Sequence, residues 1–174
     1  MSRIILTSEL LNNLLTNDKI TLLEKYQKKS GKNHFFTPTI SLKLYKPKIT
    51  WIDAQKKNLS FSFVKHENLS LYTFLKNVNN SLTTLYKNKV YNPVTTISPF
   101  FIEKGDYFYL KCYLPNINKT YYINSFFNDK EEVFIPPILN SIYDYVIVDI
   151  KNIWEKDKNA GFNLELKECY INTK

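Results

Sequence analysis

Asp106-Tyr-Phe-Tyr-Leu-Lys-Cys-Tyr-Leu114 alternates with a strict two-residue period. Phe108, Leu110, Cys112 and Leu114 fall on one side, and Tyr107, Tyr109, Lys111 and Tyr113 on the other. The pattern predicts a strand with one buried face. Solubility alone calls for Thr, Ser, Glu or Lys on the second face, whereas this one carries phenol rings around an ammonium. Single-stranded nucleic acid suits such a surface, because bases stack on rings and phosphates pair with cations. Tyr is also a good strand former, and the same face suits the inside of a two-sheet sandwich or the underside of a helix. Exposure of Tyr107, Tyr109 and Tyr113 decides between the two.

Working outward, Thr96 to Ile102 leads through a Lys104-Gly105-Asp106 turn into this strand, and Pro115 to Lys119 turns it into Thr120-Tyr-Tyr-Ile-Asn124, so a three-stranded meander is expected. Upstream, Ile40, Leu42 and Leu44 alternate with Ser41, Lys43 and Tyr45 until Lys46-Pro47-Lys48 breaks the pattern ahead of Ile49-Thr-Trp-Ile52. Pro47 cannot donate to a ladder, so a bend or bulge at a sheet edge is expected, with Trp51 in the continuation. Leu59, Phe61 and Phe63 face away from Ser60 and Ser62, which makes a hairpin with the preceding run.

From Asn68 to Val90 the period lengthens, and Tyr72, Leu75, Leu82, Leu85 and Tyr86 fall on one helical stripe with Asn68 as the N-cap. This helix runs out into Tyr86-Lys-Asn-Lys-Val-Tyr-Asn-Pro93, where Lys87, Lys89 and Tyr91 form a second interleaved patch; a frayed, solvated helix end accounts for it equally well. At the other end, Arg3 to Thr7 suits a short strand. Leu10, Leu11, Leu14 and Leu15, then Ile20, Leu23 and Tyr26, suggest a helical arm within residues 1–36. That arm ends in Lys25, Lys28, Lys29 and Lys32, with Gly31 as the stop. Beyond Pro136-Pro137, a long strand from Tyr143 to Trp154 returns as Phe162 to Ile171 in a closing hairpin.

A length of 174 residues suits one domain over 1–174 that buries its own core. Only 3 Gly argue against repeat folds and glycine-rich phosphate loops. Asn, Lys, Ile and Tyr are heavily used, as in AT-rich coding sequence, so part of the Lys and Tyr content reflects codon supply. The net charge of +8 nevertheless suits a polyanionic partner or a membrane surface. Cys112 and Cys169, far apart and beside apolar residues, read as buried free thiols, which implies an intracellular setting. The first fifteen residues resemble neither a signal peptide nor a membrane span, and no membrane partner is expected.

Catalytic chemistry needs convergent reactive groups. His34 and His66 lack the spacing of a helical metal pair, Asp144 and Asp149 fall on opposite strand faces, and no Ser or Cys sits in a nucleophile motif. No enzyme activity, metal or cofactor is expected.

The order of elements, a hairpin, a helix, a meander and a closing hairpin, is compatible with a mainly β (α+β), OB-like Greek-key barrel with an inserted helix. At Val146-Ile-Val-Asp-Ile-Lys-Asn-Ile-Trp154 and Gly161-Phe-Asn-Leu-Glu-Leu-Lys167 the chain resembles the C-terminal hairpin of single-stranded DNA-binding proteins of large DNA viruses, which are similar to the phage replication-type OB-fold proteins. That resemblance implies binding with little sequence preference in viral replication, recombination or repair, within a host cytoplasmic replication site or the nucleus. The phage-type proteins end in an acidic recruiting tail, where this sequence reads Ile171-Asn-Thr-Lys174.

From chemistry, Trp51, Tyr91, Tyr107, Tyr109 and Tyr113 are the candidate stacking rings. Lys43, Lys46, Lys48, Lys87, Lys89 and Lys111 are the candidate phosphate contacts. Single-stranded DNA is the expected partner, with RNA, a second copy of the chain and replication proteins as further candidates. The alternative is a β-sandwich interaction or structural protein, a viral accessory component, whose rings are covered.

Overall fold

The computed structural model describes residues 3–13, 19–28, 31–53, 55, 57–117, 120–127, 130–135 and 138–171. The elements in chain order are β1 (Arg3–Ile5), α1 (Ser8–Asn13), β2 (Thr21–Lys28), β3 (Gly31–Tyr45), β4 (Lys48–Ile52), β5 (Asn58–Val64), α2 (Leu69–Lys89), β6 (Thr96–Ile97), β7 (Phe101–Lys104) and β8 (Tyr107–Tyr113). There follow β9 (Asn116–Ile117), β10 (Thr120–Tyr121), β11 (Ile123–Phe127), β12 (Lys130–Ile135), β13 (Tyr145–Lys156) and β14 (Asn159–Ile171). The protein is thus mostly β with one long helix. Among the described residues the strands are hydrogen-bonded in the order β1-β3-β13-β14-β8-β5-β4. This order has two ends, so the sheet is not closed.

Two compact units divide the chain. Unit 1 comprises Met1–Ser41, Leu69–Phe100 and Ile150–Asn163; unit 2 comprises Leu42–Asn68, Phe101–Asp149 and Leu164–Lys174.

In unit 1, α2 buries Tyr72, Leu75, Val78, Leu82, Leu85 and Tyr86, a spacing of three and four residues that keeps one stripe out of water. Phe36, Ile40, Ile150, Ile153 and Ala160 are buried on the strands of the same unit. The helix end is tied down by a polar cluster. The Tyr86 hydroxyl donates to Glu155 and accepts from the Val94 N–H at 3.1 Å, while His34 Nε2 lies 3.2 Å from Glu155. His34 is buried in this cluster. Asn68 stands immediately before α2, at the N-cap position, and its side-chain amide donates to the Val64 carbonyl at 2.8 Å.

The second half of the expected helical arm is a strand. Residues Thr21 to Lys28 pair antiparallel with β3, in a register that sets Leu22 opposite Phe36 and Lys28 opposite Gly31. Ile20, Leu23 and Tyr26 are too few to fix a period, and pairing with a long neighbour overrides local preference. Gly31 does not stop a helix. It opens β3 with φ 140°, and a Cβ there would overlap the Glu155 carbonyl oxygen. Leu14, Leu15, Lys29 and the Pro136-Pro137 break lie outside the described residues.

In unit 2, β4, β5, β8 and β7 form an antiparallel run whose core face carries Ile49, Leu59, Phe61, Phe63, Phe101, Phe108, Leu110 and Cys112. The Phe63 and Phe108 rings stack at 5.0 Å between centroids. Each such side chain contributes about 1.5–3 kcal/mol on burial. The expected meander stops at two strands. The segment after β8 forms the small β9–β10 ladder and then β11, which pairs antiparallel with β12 and parallel with β14 instead of returning along β8. Periodicity fixes which way a side chain faces, whereas it carries no information about the partner strand.

Candidate nucleic-acid interface

The outer face of β8 is open to water. Tyr107 and Tyr113 are 45% and 46% exposed, Lys111 is exposed and Tyr109 is half-buried, while Phe108, Leu110 and Cys112 are buried. Tyr107 and Tyr113 thus have the exposure on which the stacking reading turned. Their neighbours follow from register. On β5, Ser60 lies opposite Lys111, Ser62 opposite Tyr109 and Asn58 opposite Tyr113. On β4, Trp51 lies opposite Ser60 and Lys48 opposite Ser62. Strands sit about 4.8 Å apart, so β4 and β8 are roughly 10 Å apart with only serines between them. The result is a trough with a hydroxyl floor and walls of rings and ammonium groups.

A bulge between Ile49 and Trp51 shapes the β4 wall. The ladder break expected at Pro47 thus falls within β4, where the extra residue leaves both Lys48 and Trp51 on the solvent side. Trp51 is 45% exposed, and Lys111 crosses the serine floor to hold its Nζ 5.4 Å from the Trp51 ring centroid. Along β8, Tyr107 and Tyr109 set their centroids 6.2 Å apart with planes 32° from parallel. Lys104 on β7 stands opposite Tyr107 and adds an exposed cation.

A second row of rings in unit 2 was missed in the sequence. Phe126, Tyr170 and Tyr145 stack in succession, at 4.5 Å and then 4.1 Å between centroids, and Tyr45 extends the row at 6.1 Å with a 54° tilt. Lys43 Nζ lies 3.8 Å from the Tyr145 centroid and 5.2 Å from that of Tyr45. Tyr45 is 59% exposed, which leaves the end of the row available to a further ring. Tyr170 donates to Glu168 at 2.9 Å, and burial, reinforced by that hydrogen bond and charge, pushes its phenol up, so it stays neutral. Lys43-Leu-Tyr45 repeats the ring-and-cation alternation of the β8 strand, and was the available signal.

The remaining candidates divide. Lys46 is ion-paired with Asp144, so its charge is already met. Lys87, Lys89 and Tyr91 are exposed and belong to unit 1, at and just beyond the end of α2. Among the described residues no carboxylate pairs with Lys43, Lys48 or Lys111. Beside Tyr113, Glu165 of β14 is met by Lys167, which also reaches Asp149 at 4.0 Å. His66 pairs with Asp106 at 2.5 Å on the surface, in the turns that precede α2 and β8.

No protein-family model matches the sequence, and no curated protein matches it. Among solved structures, the chain is similar to the C-terminally truncated single-stranded DNA-binding protein from bacteriophage Enc34, with 10% identity over 88% of this chain and 95% of that one and a TM-score of 0.50. The untruncated Enc34 protein aligns over 87% of this chain and 89% of its own at 9% identity, with a TM-score of 0.49. At this identity the likeness is one of fold: the chain has the fold of a phage single-stranded DNA-binding protein.

Proposed function

We propose that the protein is a non-catalytic, single-stranded DNA-binding protein of OB-like architecture, acting as one nucleic-acid-binding chain with little sequence preference. In this proposal it serves viral DNA replication, recombination or repair inside the host cell. The observation that carries it is the trough of unit 2, where Trp51, Tyr109 and Tyr113 flank a serine floor crossed by Lys111. Rings take bases without regard to identity and ammonium groups take phosphates, a combination that favours single strands over duplex. Lys48 and Tyr107 extend the trough, and Lys43 with Tyr45 supplies a second stacking point. Lys46, held by Asp144, contributes only by exchanging partners, and Lys87, Lys89 and Tyr91 add charge and a ring from unit 1. The likeness to the truncated Enc34 protein supports the reading through its fold.

The test is a titration of a labelled dT oligomer against an equal-length duplex and the matching RNA, at low and moderate salt. Preferential single-strand binding is expected, with log affinity falling by about 0.7 per log salt for each phosphate contact. Tyr109→Ala weakens it. Absence of binding at micromolar protein and low salt overturns the proposal.

A further inference from the structure

We propose that a pocket in unit 1, between the β2–β3 hairpin and β13, binds a single amino-bearing nucleotide, with the base inside and the phosphate at the rim. The pocket has a volume of about 400 Å³, within the range of small-molecule sites. Phe35, Thr37 and Thr39 alternate on the outer face of β3, while His34, Phe36 and Ile40 point into the core. This gives the pocket an aromatic wall followed by hydroxyls at two-residue spacing.

A bulge between Glu24 and Tyr26 makes Lys25 the extra residue of β2, and its Nζ stands 5.1 Å from the Phe35 ring centroid. Lys151 of β13 lines the same pocket, and Glu24 is exposed beside it. A ring, two ammonium groups and hydroxyls match the parts of a nucleotide: base face, phosphate and sugar. The carboxylate of Glu24 adds discrimination, since it accepts from the exocyclic amine of cytosine or adenine, where thymine presents a carbonyl oxygen that repels it.

This site does not depend on the trough, which lies in unit 2 and treats bases alike. The test is amide NMR of the full chain titrated with dCMP, dTMP, deoxycytidine and inorganic phosphate in turn. Saturable shifts are expected around Phe35, Thr37 and Thr39 with dCMP, weaker with dTMP and with deoxycytidine. The Lys25→Gln, Lys151→Gln double variant, which leaves the core untouched, should weaken dCMP binding by about tenfold or more, the scale of a charge-assisted hydrogen bond. Glu24→Gln should erase the preference for dCMP over dTMP. Trp51→Ala should leave all of these shifts in place, so a failed oligomer titration with an intact dCMP response would sink the trough and spare the pocket. The proposal is overturned by an unresponsive pocket at millimolar dCMP, by equal shifts with inorganic phosphate alone, or by shifts confined to unit 2.

Discussion

Replacing Trp51 with alanine removes one wall of the trough and leaves the core intact. The ring stands on the solvent side of β4, opposite Ser60, and the apolar side of the strand is held by Ile49. A stacked ring contributes about 1–3 kcal/mol per base, which is about 5- to 140-fold in Kd at 1.4 kcal/mol per decade. The salt slope should barely change, because no phosphate contact is lost. Lys111→Gln should behave differently, lowering the slope by about 0.7 for its one phosphate.

Because Lys111 Nζ lies 5.4 Å from the Trp51 centroid, the two losses should not add. Residues in direct contact couple by about 0.5 kcal/mol or more. Anisotropy titrations of a labelled dT oligomer at four salt concentrations, on the parent, both single variants and the double variant, give all of these quantities. Far-UV circular dichroism and urea midpoints verify that the fold is unchanged. If Trp51→Ala binds within a factor of two of the parent at every salt concentration, bases do not stack on Trp51 and the trough is not the binding surface.

Gly31→Ala should destabilise the protein by at least the 1–3 kcal/mol typical of a residue forced into a sparsely populated backbone region, since its φ is 140° and its Cβ would overlap the Glu155 carbonyl oxygen; urea denaturation measures the loss, and an unchanged midpoint contradicts the placement of Gly31. Burial, with the neighbouring Cys169, pushes the Tyr143 phenol up from 10.0 to about 12. The fold therefore favours the neutral form, so its contribution to stability is complete below pH 10 and is lost as pH rises through about 12; ultraviolet difference titration of Tyr143→Phe against the parent should remove one late-ionising phenol. Burial also pushes both thiols up, so Cys112 and Cys169 should resist a disulfide reagent near neutral pH until denaturant is added; fast reaction of the native protein would contradict their burial.

Side-chain facing was legible wherever burial is one-sided. The β8 and β5 strands declare their faces through a two-residue period, and α2 declares its stripe through a longer one, because water penalises any other arrangement. The closing hairpin was legible too, and the Trp154 to Gly161 pairing has a local cause. A Cβ on Gly161 would lie 2.6 Å from Trp154 Cζ2, so the indole uses the room that glycine leaves. What escaped the sequence is long-range pairing. The parallel ladder of β11 on β14, the strand character of Thr21 to Lys28 and the open ends of the strand order all depend on partners far along the chain. The Tyr45, Tyr145, Tyr170 and Phe126 row was hidden for the same reason, since its members come from four strands. The serine floor was visible as alternation on β5, and gained meaning only once register set it between Trp51 and Lys111.

If successive bases stack on Tyr107 and Tyr109, as proposed, the 6.2 Å between the two centroids acts as a ruler. Consecutive bases in a duplex strand rise about 3.4 Å, so a strand laid with successive bases on these rings is stretched to nearly twice that rise and its neighbours lose contact with one another. The protein would then take hold of DNA only by drawing it out, at a cost set by how strongly the sequence stacks on itself. Pyrimidine runs would be taken up readily and purine runs or hairpins slowly, a preference that comes from the flexibility of the strand while the protein reads no letter of it.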